Sequence, residues 1–162
     1  MDDVSPLPEV EVGEIIGMLD YLKEENGRTD IYALASDLNL EIDELLPIIK
    51  AAELLGFAKV EDGDLILMDL GKSLLRGDEN KRKLIFKERL KKLPIFDKLI
   101  KLLLQSPDKT MDKEDVLDAL KQEMSEEDAR STLKTIINLG RYAELIGYNP
   151  EEKQIYLDEL GD

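Results

Sequence analysis

The run Phe57-Ala58-Lys59-Val60-Glu61-Asp62-Gly63-Asp64-Leu65-Ile66-Leu67-Met68 decides the fold of this chain. Two apolar stretches flank an Asp-Gly pair, which supplies the two positive-φ residues of a tight hairpin turn, so a β-hairpin is expected. Upstream, Val12, Ile15, Ile16, Leu19 and Leu22 recur at helical spacing until Asn26-Gly27 stops the pattern. Thr29-Asp30 is placed to cap a second helix over 31–38, and Asp43 a third that runs to about Leu55 and ends at Gly56. Pro47 falls early in that third helix, harmless in a first turn and a cause of bending deeper in.

Helix, helix, helix, hairpin is the order of a winged-helix unit, a helix-turn-helix with a β wing. The second half repeats it. Ile95 to Gln105 is an amphipathic helix ended by Ser106-Pro107, and Met111-Asp112 opens a helix through about Glu123. Ser125-Glu126-Glu127-Asp128 is a cap with an acidic first turn, leading a helix to about Leu139-Gly140. Tyr142 to Ile146 and Gln154 to Leu157 then flank a turn, with Leu139-Gly140 set opposite Leu55-Gly56. The expected fold class is mainly α (α+β): winged-helix units over 1–78 and 95–162, joined by a basic connecting helix over 79–94. A single mixed helical domain with two hairpins is the alternative.

Composition narrows the function. A chain of 162 residues buries roughly 69% of its unfolded surface, enough for a core without staples. It has no cysteine and no histidine, which removes disulfides, thiolate chemistry, the commonest metal ligand and the usual neutral-pH base. Lys+Arg 22 against Asp+Glu 37 gives −15, a poor balance for holding phosphates. The acidic start Met1-Asp2-Asp3 is unlike a signal peptide, and Ile95 to Leu104 is too short and too charged to span a bilayer. A cytoplasmic location is expected. Little Cys, His or Trp beside abundant Lys and Glu also fits a thermophile.

Gly71-Lys72-Ser73 suggests a P-loop, but the position of the first glycine is Ile66, inside an expected strand, so a short helix start is the better reading. Asp62, Asp64 and Asp69 lack the order of a calcium loop. No cofactor is expected, and an enzyme is the weakest class. For DNA, the least implausible contacts are Arg130 and Lys134 on the second recognition helix, although both turns carry acids. Between Lys81 and Lys101, by contrast, nine basic side chains stand against two acidic ones. Lys81, Arg82, Lys83, Lys87, Arg89, Lys91 and Lys92 are therefore the candidate partner-binding residues, with a solvated connector as the plainer reading.

Several runs also resemble a known family: Pro6-Leu7-Pro8, Val12-Gly13-Glu14-Ile15-Ile16-Gly17, Asp30-Ile31-Tyr32-Ala33-Leu34-Ala35, Leu45-Leu46-Pro47-Ile48 leading into Ala51-Ala52-Glu53-Leu54-Leu55-Gly56-Phe57, and Gly140-Arg141-Tyr142-Ala143-Glu144-Leu145. Together they resemble the C-terminal AAA-associated domain, found behind the cassette of nitrate/sulfonate/bicarbonate-type ABC-transporter ATPases and as a separate small protein. Leu139 departs from it, standing where a tryptophan is expected before Gly-Arg-Tyr. With no cassette ahead of it in this sequence, the stand-alone form is expected. The resemblance implies a non-enzymatic regulatory module that contacts such an ATPase, with a second copy of this chain as another candidate partner. The competing expectation is a winged-helix transcriptional regulator.

Overall fold

The computed structural model describes residues 4–158. The fold is mainly α, with small antiparallel sheets. Two compact units divide between Arg82 and Lys83; residues 4–9 pack with the second. That division lies inside α5 (Glu79–Lys91), so the helix that joins the units also belongs to both.

The first unit runs α1 (Val12–Glu24), β1 (Arg28–Asp30), α2 (Ile31–Asp37), α3 (Ile42–Leu54), β2 (Ala58–Glu61), β3 (Asp64–Leu67) and α4 (Asp69–Arg76). The expected hairpin is there: Asp62 and Gly63 have φ of 52° and 80°, the two left-handed residues of a tight turn. β1 adds to its other edge, giving the order β1-β3-β2. Ile15, Leu19, Leu22, Leu34, Leu45, Phe57 and Leu65 are fully buried, each contributing about 1.5–3 kcal/mol of transfer free energy. Asp30 caps α2 as expected, accepting from the Ala33 amide at 2.9 Å. At α3 the cap is Glu41, in a reciprocal box with Glu44, and Asp43 instead lies in the first turn, where its charge favours the helix dipole. Pro47 sits inside α3 without ending it.

The second unit contains α6 (Pro94–Leu104), a 3-10 turn (Pro107–Lys109), β4 (Thr110–Asp112), α7 (Lys113–Lys121), α8 (Glu126–Tyr142), β5 (Ile146–Asn149) and β6 (Gln154–Leu157). Its sheet order is β4-β6-β5, the same as in the first unit. Ser125 caps α8 through the Asp128 amide at 3.1 Å. Residues 7 and 8 are strapped to the same helix: the Leu7 amide donates to Thr132 Oγ1 at 3.0 Å, and Thr135 Oγ1 donates to the Pro8 carbonyl at 2.6 Å.

Matching bonds set the internal register. The Phe57 amide donates to the Ala52 carbonyl and the Leu145 amide to the Gly140 carbonyl, each closing a helix over a left-handed residue, Gly56 (φ 83°) or Glu144 (φ 59°). Gly56 is thus equivalent to Glu144. The pairing of Leu55-Gly56 with Leu139-Gly140 expected from sequence is off by one helical turn, because α8 runs on through Tyr142. The strand expected from Tyr142 accordingly begins at Ile146. Gly140 stays helical; a Cβ there would stand 2.6 Å from Ile146 Cγ1, so the glycine serves packing and not termination. Leu139, in place of the expected tryptophan, is buried in the same helix.

Candidate functional site

A cleft of about 560 Å³ opens between α7, α8 and the β5–β6 turn, wholly within the second unit. Arg130, Leu133, Lys134 and Ile137 recur at i, i+3, i+4 and i+7, so they form one stripe of α8. Leu117 on α7 joins Leu133 and Ile137 to make an apolar floor. The third wall is the turn. Asn149 Oδ1 accepts from the amides of Glu151 and Glu152, and the Lys113 amide donates to the Lys153 carbonyl at 2.8 Å, tying the turn to the start of α7. Gln154 Nε2 donates to Asp112 Oδ1 across the same corner at 3.2 Å.

Charges of both signs surround that floor. Lys113, Arg130, Lys134 and Lys153 line the cleft with Asp112, Glu114 and Glu152. Arg130 donates twice to Glu126 Oε2, at 3.1 and 2.9 Å. That bond, with Lys121 nearby, holds the Glu126 carboxyl below the ordinary range. Lys134 Nζ lies 3.8 Å from Glu9, and Lys113 Nζ lies 5.7 Å from the centre of the Tyr148 ring. Floor and rim together suit a ligand that offers apolar side chains and charged groups at once.

The structure therefore brings Arg130 and Lys134 into one site, and joins to them Lys113 and Lys153, which sequence reasoning did not single out. Lys153 and Lys113 are 40 positions apart and meet only because β4 pairs with β6. The seven cations of 81–92 are not brought together. Lys87 is 7% exposed and unavailable to a partner. Arg82 donates to the carbonyls of Leu74 and Leu75, closing the C-terminus of α4. Lys83 pairs with Glu144 at 3.3 Å and lies 5.9 Å from the Tyr142 ring centre, while Arg89 is half-buried. Lys81, Lys91 and Lys92 remain exposed, with Leu84 at 58%.

In the first unit the corresponding positions carry other chemistry. The strand register places Asp30 with Asp112, hence Ile31 with Lys113 and Tyr32 with Glu114, and the Ile31 amide reaches the Gly63 carbonyl as Lys113 reaches Lys153. Counting back from the helix ends, Ile42 matches Arg130 and Leu46 matches Lys134. Burial agrees: Leu45, Ile48, Ala51 and Ala52 are buried, as are Leu133, Ile136, Leu139 and Gly140. Where the second unit has a charged cleft, the first has exposed Tyr32 (72%) and Leu46 (47%).

Gly71-Lys72-Ser73 lies within α4, packed under the hairpin. No helix among the described residues is long and apolar enough to cross a membrane. The family model of the C-terminal AAA-associated domain matches residues 32–149. No curated protein and no solved structure gives a significant match.

Proposed function

The chain belongs to the C-terminal AAA-associated domain family, and on that premise we propose that it is a non-enzymatic module that binds and regulates an ABC-transporter ATPase of the nitrate/sulfonate/bicarbonate type. Each unit is a winged helix used for protein contacts, a reading supported by the order helix, strand, helix, helix, hairpin in both halves. The lack of histidine and cysteine supports a binding role over catalysis. The module works at the cytoplasmic face, where such an ATPase hydrolyses its nucleotide.

One observation favours protein over nucleic acid as the partner. The elements that would meet a duplex carry acids: Asp43 and Glu53 on α3, and Glu61 and Asp62 at the end of β2 and in the turn after it. In the second unit Arg130 and Lys134 already face Glu126 and Glu9. Duplex binding draws on net cations placed against phosphates, and such surfaces offer few. Exposed Lys91 and Lys92, beside Leu84, are the part of the basic helix left for the ATPase. Calorimetry with the purified ATPase is expected to give micromolar binding that weakens at least tenfold in Lys91→Glu/Lys92→Glu. Binding only to a specific duplex, lost in Arg130→Ala/Lys134→Ala, would establish the regulator instead.

A further inference from the structure

The two repeats present the same face of the fold with different chemistry. In the first unit, Tyr32 and Leu46 protrude, and the elements that carry them and the hairpin turn are acidic: Asp30, Asp43 and Asp62 are exposed, and Lys50 is the one cation of α3. In the second unit the same face forms a cleft with an apolar floor, Leu117, Leu133 and Ile137, and a rim of four cations, Lys113, Arg130, Lys134 and Lys153, with three acids, Asp112, Glu114 and Glu152.

We propose that the first-unit face of one copy seats in the second-unit cleft of another, so that the chain self-associates through its own two repeats. Tyr32 and Leu46 cover the floor, and Asp30, Asp43 and Asp62 meet Lys113, Arg130, Lys134 and Lys153. Arg130 and Lys134 are now held by Glu126 and Glu9 in exposed pairs. Pairs of that kind contribute about 0–1 kcal/mol each, so exchanging them for a neighbour's carboxylates costs little. The apolar contact then supplies the net attraction, while the charges set register and on-rate. Such a contact is head-to-tail, and it closes into a ring or grows into a chain according to the rotation it imposes.

The proposal does not rest on the ATPase reading, and its test contains this chain alone. Sedimentation velocity of the full chain, from micromolar to millimolar, is expected to show concentration-dependent association that weakens as salt rises. Leu46→Glu and Lys134→Glu, both at exposed positions, should each reduce association at least tenfold while their thermal melts stay near wild type. Two reversals sharpen the test. Asp43→Lys/Asp62→Lys makes both surfaces positive, and Lys134→Glu/Lys153→Glu makes both negative. Each protein alone should stay monomeric, and mixing them should restore association. A wild type that is monomeric at millimolar concentration and low salt overturns the proposal. So does a Leu46→Glu variant that associates like wild type, or a mixture of the two reversals that does not re-associate.

Discussion

Gly71→Ala tests whether this glycine serves packing or a phosphate loop. Gly71 lies in α4, directly under the backbone of Phe57. A Cβ built there would stand 2.4 Å from the Phe57 carbonyl oxygen and 2.7 Å from Leu67 Cδ1, where ordinary contact begins at 3.4 Å. The Leu67 methyl can rotate away. The carbonyl cannot, because it accepts the Met68 amide at 2.9 Å and belongs to the chain entering β2. Two opposed terms decide the sign. Replacing a helical glycine by alanine gains about 1 kcal/mol of helix propensity. Forcing a methyl into a packed site costs about 1–3 kcal/mol, and here α4 must move about 1 Å from the sheet, which puts the cost at the upper end. The expected net effect is a loss of about 1–2 kcal/mol. With a urea slope of about 2 kcal/mol/M the midpoint falls by roughly 0.5–1 M. Far-UV circular dichroism reads this directly, since the chain has no tryptophan for fluorescence. A midpoint equal to or above wild type would refute the close approach of α4.

Lys72→Ala, on the exposed side of the same helix, should change stability by less than about 0.5 kcal/mol. Neither that variant nor wild type should bind Mg-ATP in calorimetry; micromolar binding abolished by the substitution would contradict this. Thr132→Val strands the Leu7 amide in a buried position and should cost about 1–3 kcal/mol. Thr132→Ser should melt close to wild type. The Tyr21 hydroxyl donates to Asp37 at 2.8 Å, and that bond, with burial and the nearby carboxylate charges, raises its pKa from 10.0 to about 12. A folded-state pKa raised in this way gives stabilisation that is full below pH 10 and lost as pH rises through about 12. Ultraviolet titration should find a tyrosine ionising near pH 12, and Asp37→Asn should bring that transition down.

Legibility followed the length of each signal. The helices and hairpins were readable wherever a period ran for several turns or an Asp-Gly pair demanded one geometry. Strands β1 and β4 have three residues each, too few for alternation to register, and they exist because an edge of the hairpin was open to pairing. The end of α8 was misread because Gly140 looks like a stop, while the left-handed position falls to Glu144, a residue with no such preference. The basic helix misled for another reason. Its cations are spread around the whole circumference, so some must point inward; Lys87 follows buried Phe86 by one residue and is enclosed with it. Half of the candidate site was visible in the i, i+4 pair Arg130 and Lys134. Lys113 and Lys153 join it only through the β4–β6 register, which periodicity does not encode.

In the function proposed above, this fold contacts protein and not nucleic acid. Hydrogen–deuterium exchange tests it most directly, run on the chain alone, with the purified nitrate/sulfonate/bicarbonate-type ATPase, and with a mixed pool of duplex DNA. Protection around Lys91 and Lys92 with the ATPase, and an unchanged pattern with DNA, is the predicted result. Protection of α8 and the β5–β6 turn by DNA, with none from the ATPase, would contradict it.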